Sequence, residues 1–230
     1  MRKILRKLEV PCLAVVPLVL GLCAFFQVQQ SGILTVLVAL LCVLVFFASF
    51  EFSKLDLGQI MPTVVLSALG AAGRILFAAF GSVCPFSAIA IISGASFGRR
   101  CGFMVGALSA LVSNLFLGQG PWTAWQMYSW GLIGYLAGVL TDCGAFKHRA
   151  LLYVFGVASA FVYGFILNTW YLVGFMNPIT FATALFVYGA GVLGDVAHAI
   201  STVVFLFLLY EPWQRKLRRI VSKYRLVASV

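Results

Sequence analysis

Apolar runs separated by short polar connections fill the chain from about Leu13 to Tyr210. Most are roughly 17 to 25 residues long, and a helix rising about 1.5 Å per residue needs about that length to cross a hydrocarbon core of about 30 Å. The runs are continuously apolar and do not alternate with polar residues, which excludes a transmembrane β-barrel. The pattern predicts eight membrane helices, at about 11–28, 32–50, 59–80, 84–98, 101–117, 122–141, 150–174 and 181–210. The expected fold class is an all-α integral membrane protein, with a six-helix bundle preceded by an N-terminal two-helix hairpin.

A boundary falls at "EFSKLDLGQIMP", where a short charged connection separates two featureless apolar helices from the region that carries the buried polar residues of interest. Three segments follow: a hairpin with a basic start (1–58), a six-helix core (59–212) and a basic tail (213–230). The first run sits behind "MRKILRKLEV" and resembles a signal peptide. It lacks a clear small-residue cleavage site and a second apolar run follows at once, so it is read as a span.

Composition sharpens this picture. Of the 230 residues 63% are hydrophobic and 10% charged, so a water-soluble fold would leave large apolar areas in water. The net charge of +10 is a topology signal. With the N-terminus in the cytoplasm, fifteen of the sixteen basic residues collect on one side, from Arg2, Lys3, Arg6 and Lys7 through Lys54, Arg99, Arg100, Lys147 and Arg149 to the 215–225 tail. The outer connections "QVQQS", "GSVCP", "LGQGPW" and "FMNPITF" carry none. A multi-pass protein of the cell membrane with both termini cytoplasmic is expected, its terminal clusters touching anionic lipid; no nucleic-acid partner is.

Arg74 and Asp195 are the strongly charged residues placed deep in spans, where a charge needs a partner or a wet cavity. Counting from the cytoplasmic ends at about 1.5 Å per residue puts both at about 22 Å, so they could pair; Asn114 falls at about 20 Å, Gln126 at about 22 Å and Asn168 at about 27 Å. Asn114 and Gln126 flank "LGQGPW", whose Gly118, Gly120 and Pro121 specify a tight turn and a helix start. Gln119 adds an amide there, and Trp122, Trp125 and Trp130 add flat aromatic surface. Together these residues outline a substrate pocket open to the outside and lined by Arg74, Asn114, Gln119, Trp122, Trp125, Gln126, Asn168 and Asp195. The competing reading is structural: Trp anchors membrane boundaries, and Asn or Gln bonds a neighbouring helix. His198, one turn after Asp195, is read more readily as a hydrogen-bond partner than as a proton relay.

Small residues form a second pattern. In "SALGAAGRILF", Ala68 and Ala72 share one helical face, which allows close approach of another helix either inside the bundle or from a partner. Gly106 with Ala110, and Gly134 with Gly138, are read as internal packing. The six cysteines are scattered without a CxxC pair, so no metal site or disulfide framework is expected. Ser96 and His198 lack the acid and oxyanion arrangement of a hydrolase, no catalytic residue is assigned, and no cofactor is implied. No phosphate-binding G-x-x-x-x-G-K-[ST] motif is present, so energy for uphill transport would come from a partner or an ion gradient.

At these residues the sequence resembles the substrate-binding S components of energy-coupling factor (ECF) vitamin transporters. The likeness rests on AxxxA (Ala68, Ala72), on "GRILF" leading into an outer loop with Pro, on "IISGASFGRRCGFMVGALSALVSNLFLGQGPWTAWQMYSWGLIGYLAG" and on "HAISTVVFLFLL", covering about 59–215. It implies a protein that binds a vitamin or related micronutrient from outside and has no transport activity or ATP site of its own. The family docks through its AxxxA face onto a membrane coupling subunit served by two ATPase subunits, and it topples in the membrane to deliver its solute. The resemblance leans towards the subgroup that takes cobalamin or a corrinoid precursor, while a flavin would suit rings and amides equally. The rival reading is a self-sufficient ion-coupled secondary transporter of a small organic solute, with Arg74, Asp195 and His198 handling protons.

Overall fold

The computed structural model of the chain describes residues 2–26, 31–51 and 57–224. Among them are eight α-helices and no strand: α1 (Arg2–Phe25), α2 (Ser31–Glu51), α3 (Leu57–Leu76), α4 (Phe86–Phe97), α5 (Arg99–Leu117), α6 (Trp122–Asp142), α7 (Arg149–Phe175) and α8 (Phe181–Tyr224). The predicted eight helices are therefore present. The first outer connection, Lys54 with the centre of the "EFSKLDLGQIMP" boundary, and Arg225 with the end of the basic tail lie outside the described residues.

Four helices, α2, α5, α7 and α8, are long and apolar enough to cross a membrane, and α1, α3 and α4 contain shorter apolar stretches. Three bounds depart from expectation by four residues or more, the first being the start of α1 at Arg2 instead of near 11. α3 stops at Leu76 instead of continuing to 80, because the chain turns through Ala78–Phe80 to Gly81, whose φ of 65° suits glycine. α8 continues 14 residues past 210, carrying the basic tail as helix through Pro212.

α4 is the central helix. It touches α3, α5, α6, α7 and α8, and nine consecutive residues, Phe86–Gly94, are buried. A helix covered on every side has no use for a polar face, which is why "FSAIAIISG" carries only short hydroxyls among apolar groups. α4, α5 and α6 meet backbone to backbone along a row of glycines. A Cβ built on Gly94 or Gly102 would collide with the carbonyl of Gly134, one on Gly134 with the carbonyl of Gly102, and one on Gly106 with the carbonyl of Trp130. The Gly106 and Gly134 rows thus serve internal packing, since lipid offers helices no apolar advantage and close backbone approach supplies the dispersion contacts instead.

The N-terminal pair is joined to this bundle: α2 packs on α5, α6 and α7, and α1 reaches α7. Phe46 stacks on Phe103 with ring centres 3.8 Å apart and meets Tyr135 edge-on. Pro17 has no N–H for the Leu13 carbonyl four residues back, and the Tyr128 hydroxyl donates to that carbonyl at 2.7 Å. These helices are less featureless than their sequence reads. Glu9, only 2% exposed, accepts hydrogen bonds from Ser49 Oγ and Arg100 Nε, both at 2.5 Å. The pairing escapes a sequence pattern because Glu9 and Arg100 lie 91 positions apart.

Gly134→Ala is expected to lower thermal stability in detergent, by about 1–3 kcal/mol as overpacking does. Gly189→Ala, at a position with open space beside it, should have little effect in the same melting assay.

Candidate functional site

Arg74 stands in the last turn of α3, where the helix dipole favours a cation. Its guanidinium enters the bundle and donates to Ser113 Oγ at 2.7 Å and Asn114 Oδ1 at 2.6 Å, both on α5, and to Gln126 Oε1 at 3.3 Å on α6. The Trp130 ring, one turn after Gln126, lies 5.0 Å from its Cζ. The ion pairs among the described residues are Glu9–Arg100, Arg149–Glu211 and Arg215–Glu211, so the charge of Arg74 is met by neutral oxygens and a π face. None of these ion pairs includes Arg74.

The amides are linked to one another and to the outer connection. Asn114 Nδ2 donates to Gln126 Oε1 at 2.8 Å and to Thr123 Oγ1 at 3.0 Å; the Thr123 hydroxyl donates to Gln119 Oε1 at 2.8 Å, and Gln119 Nε2 donates to the Leu111 carbonyl. Gly118, with φ at 112°, makes the turn that brings Gln119 back over the end of α5. Asn114 is 1% exposed, so its own bonds sit where water cannot replace them, whereas Gln119 lies at the exposed edge of the network.

A second set extends the layer through the other helices. Trp130 Nε1 donates to Ser87 Oγ on α4 at 3.0 Å, and Ser87 Oγ is 2.7 Å from His198 Nε2 on α8. Tyr163 of α7 stacks on Trp130 at 4.3 Å and meets His198 edge-on at 5.3 Å. Tyr163 is also within hydrogen-bonding reach of Gln126 and electrostatic reach of Arg74 and Asp195. Every helix from α3 to α8 thus contributes a side chain.

Of the residues expected to line a site, the structure joins Arg74, Asn114, Gln119 and Gln126 in one hydrogen-bonded network. The remaining four sit elsewhere. Trp122 is at the rim, 41% exposed, its ring over Gly120. Trp125 is fully buried on the far side of α6, near Tyr128 and stacked with Trp170 of α7. Asn168 and Asp195 interlock α7 and α8, the Asn168 amide lying over Gly191 and the Asp195 carboxylate over Gly164. Arg74 and Asp195 do not pair, because the Arg74 fork is taken up by α5 and α6 while Asp195 packs flat on α7. His198 bonds Ser87, in keeping with a structural hydrogen bond.

Ser87, Ser113, Thr123 and Tyr163 were not singled out by sequence. Ser113 adjoins Asn114, and Trp130 follows Gln126 by four residues on one helical face, which are usable signals. Serines and a tyrosine among apolar residues, as at Ser87 and Tyr163, carry none.

The helical bundle thus gathers a cation, amides and stacked rings at one level. Residues 63–215 match the model of the family described as ECF-type riboflavin transporter, S component. The chain belongs to this family, as a vitamin-type substrate-binding subunit of an ECF transporter, and such subunits are not enzymes. No curated protein and no solved structure matches the chain. The matched stretch runs from α3 into α8, so it contains the whole Arg74 layer and omits the hairpin. The match lends no support to the corrinoid leaning of the sequence.

Asn114→Ala is expected to weaken solute binding to purified protein by about 1–3 kcal/mol, as leaving Arg74, Thr123 and Gln126 short of a partner would. Gln126→Ala should act in the same direction. Trp125→Ala should instead lower the melting temperature, at a cost of about 3–5 kcal/mol for a buried aromatic. Unchanged titration curves for both amide variants would move the site elsewhere.

Proposed function

We propose that residues 59–212 form a solute-binding core that takes a flavin-like vitamin between α3 and α8 at the outer end of the bundle. The observation that carries this reading is Arg74: a guanidinium inside the bundle, held by three neutral side chains from two helices, with a tryptophan face beside it. A planar ring system with carbonyl acceptors along one edge would accept from the Arg74 fork and the amides while its face stacks on Trp130 or Tyr163. The matched family is named for riboflavin transport, which agrees with that chemistry. A corrinoid, far bulkier, would require a wider opening of the helices.

In this proposal the chain acts in the cell membrane with both termini in the cytoplasm, together with a membrane coupling subunit and two ATPase subunits. Ala68 and Ala72 form the docking face. Both are exposed on α3, while Gly70 and Ala71 turn inward, Gly70 against Ser109 of α5. The main neighbours of α3 are α4 and α5, and the hairpin packs on α5, α6 and α7, so the small-residue face is left open to a second helical protein.

Two experiments test these roles. Riboflavin titrated into detergent-purified protein should quench tryptophan fluorescence with saturable binding, cobalamin should not compete, and mass spectrometry of a mild-detergent preparation should find a flavin; cobalamin binding in place of riboflavin would overturn the solute assignment. In vesicles, Ala68→Trp or Ala72→Trp should abolish uptake by the assembled transporter while binding stays within about twofold, since lipid-facing substitutions away from packed sites change stability little. Uptake by the chain alone under a proton gradient would overturn the S-component role.

A further inference from the structure

The basic end of the bundle carries a second feature, unconnected with the Arg74 layer. The start of α7 and the distal part of α8 enclose an open cleft of about 390 Å³, within the range of about 300–1,000 Å³ usual for small-ligand sites. Its lining divides into two chemistries. Arg149, Glu211 and Arg215 form a charged half, and Tyr153, Phe207 and Leu208 form a half that is mainly apolar.

Glu211 organises the charged half. Its carboxylate pairs with Arg149 and lies 3.6 Å from Arg215 Nη2, one turn further along α8, so a single anion holds two guanidiniums at one cleft. Two cations and one anion leave a surplus of one positive charge. Each guanidinium has five N–H donors in a planar fork, so pairing with one carboxylate does not exhaust either. The arginine side chains are 65% and 83% exposed, open to a further ligand. The positive end of the α7 dipole adds to the potential, and the cap residue His148 supplies no side-chain acceptor there.

The apolar half lies one turn back along α8, towards the hydrophobic body of the helix. Phe207 is 70% and Leu208 55% exposed, as side chains facing acyl chains would be. Pro212 adds a polar element, because it has no N–H for the Leu208 carbonyl. At Pro17 the equivalent carbonyl, Leu13, receives the Tyr128 hydroxyl. Among the described residues no side chain does this for Leu208, so an acceptor stands at the border of the two halves.

We propose that this cleft binds the headgroup of an anionic glycerophospholipid: the phosphate on Arg149 and Arg215, a headgroup hydroxyl donating to the Leu208 carbonyl, and an acyl chain along Phe207 and Leu208. Charge complementarity selects an anion, and the apolar half selects a lipid over free phosphate, which would leave that half unused. The proposal does not depend on the identity of the transported solute.

Native mass spectrometry of the full chain in mild detergent tests it, with added phosphatidylglycerol, phosphatidylcholine or inorganic phosphate. One phosphatidylglycerol per chain should be retained, about tenfold in preference to phosphatidylcholine, as a charge-assisted contact predicts. Arg215→Gln, which leaves the Arg149–Glu211 pair in place, should lose most of that preference, and R149Q/R215Q all of it. K147Q/K216Q, with the same change of charge outside the cleft, should keep it. Equal retention of phosphatidylcholine, equal loss in K147Q/K216Q, or displacement of the lipid by millimolar inorganic phosphate would each overturn the proposal.

Discussion

The guanidinium of Arg74 sets the terms for the rest of the bundle. A charge at membrane depth is costly, by about 2.5–3.5 kcal/mol on insertion scales and far more in hydrocarbon without relief. Relief here comes from hydroxyl and amide oxygens of α5 and α6 and from an indole face, which ties three helices together at one level. Neutral acceptors solvate the cation without cancelling it. An ion pair with Asp195 would have neutralised the cation; the structure instead surrounds Arg74 with neutral oxygens.

Short side chains can serve this layer only because the backbones behind them are close. Ser87 and Ser113 reach their partners from α4 and α5, and the glycines at 94, 102, 106 and 134 let α4, α5 and α6 approach until main-chain atoms touch. Along α7 and α8 the opposite arrangement holds, with polar side chains laid over glycines on the facing helix, Asn168 on Gly191 and Asp195 on Gly164. The first contact is made by main-chain atoms and the second by side chains.

The hairpin shows how a segment outside the family match is still built into the molecule. Arg100, Phe103, Tyr128 and Tyr135 belong to the matched stretch, and each contacts α1 or α2. Without Arg100 the buried carboxylate of Glu9 would keep the Ser49 hydroxyl but lose its counter-charge, and without Tyr128 the carbonyl released by Pro17 would lose its donor. Polar satisfaction across that interface makes α1 and α2 part of one packed unit with the core.

Length and continuity of the apolar runs determine that the chain is a set of membrane helices, because a backbone in lipid must satisfy its own hydrogen bonds and a helix does so locally. The same logic made Arg74, Asn114 and Gln126 visible as a layer, since polar groups at equal helical depth stand out against an apolar background. Rotation about each helix axis is a different matter. Whether Trp125 or Trp130 faces Arg74, whether Asp195 meets Arg74 or Gly164, and whether Glu9 finds Arg100 all depend on how helices turn towards one another. Only the tertiary structure decided these, because depth is additive along one helix whereas facing is a joint property of two, set by where glycines let their backbones touch.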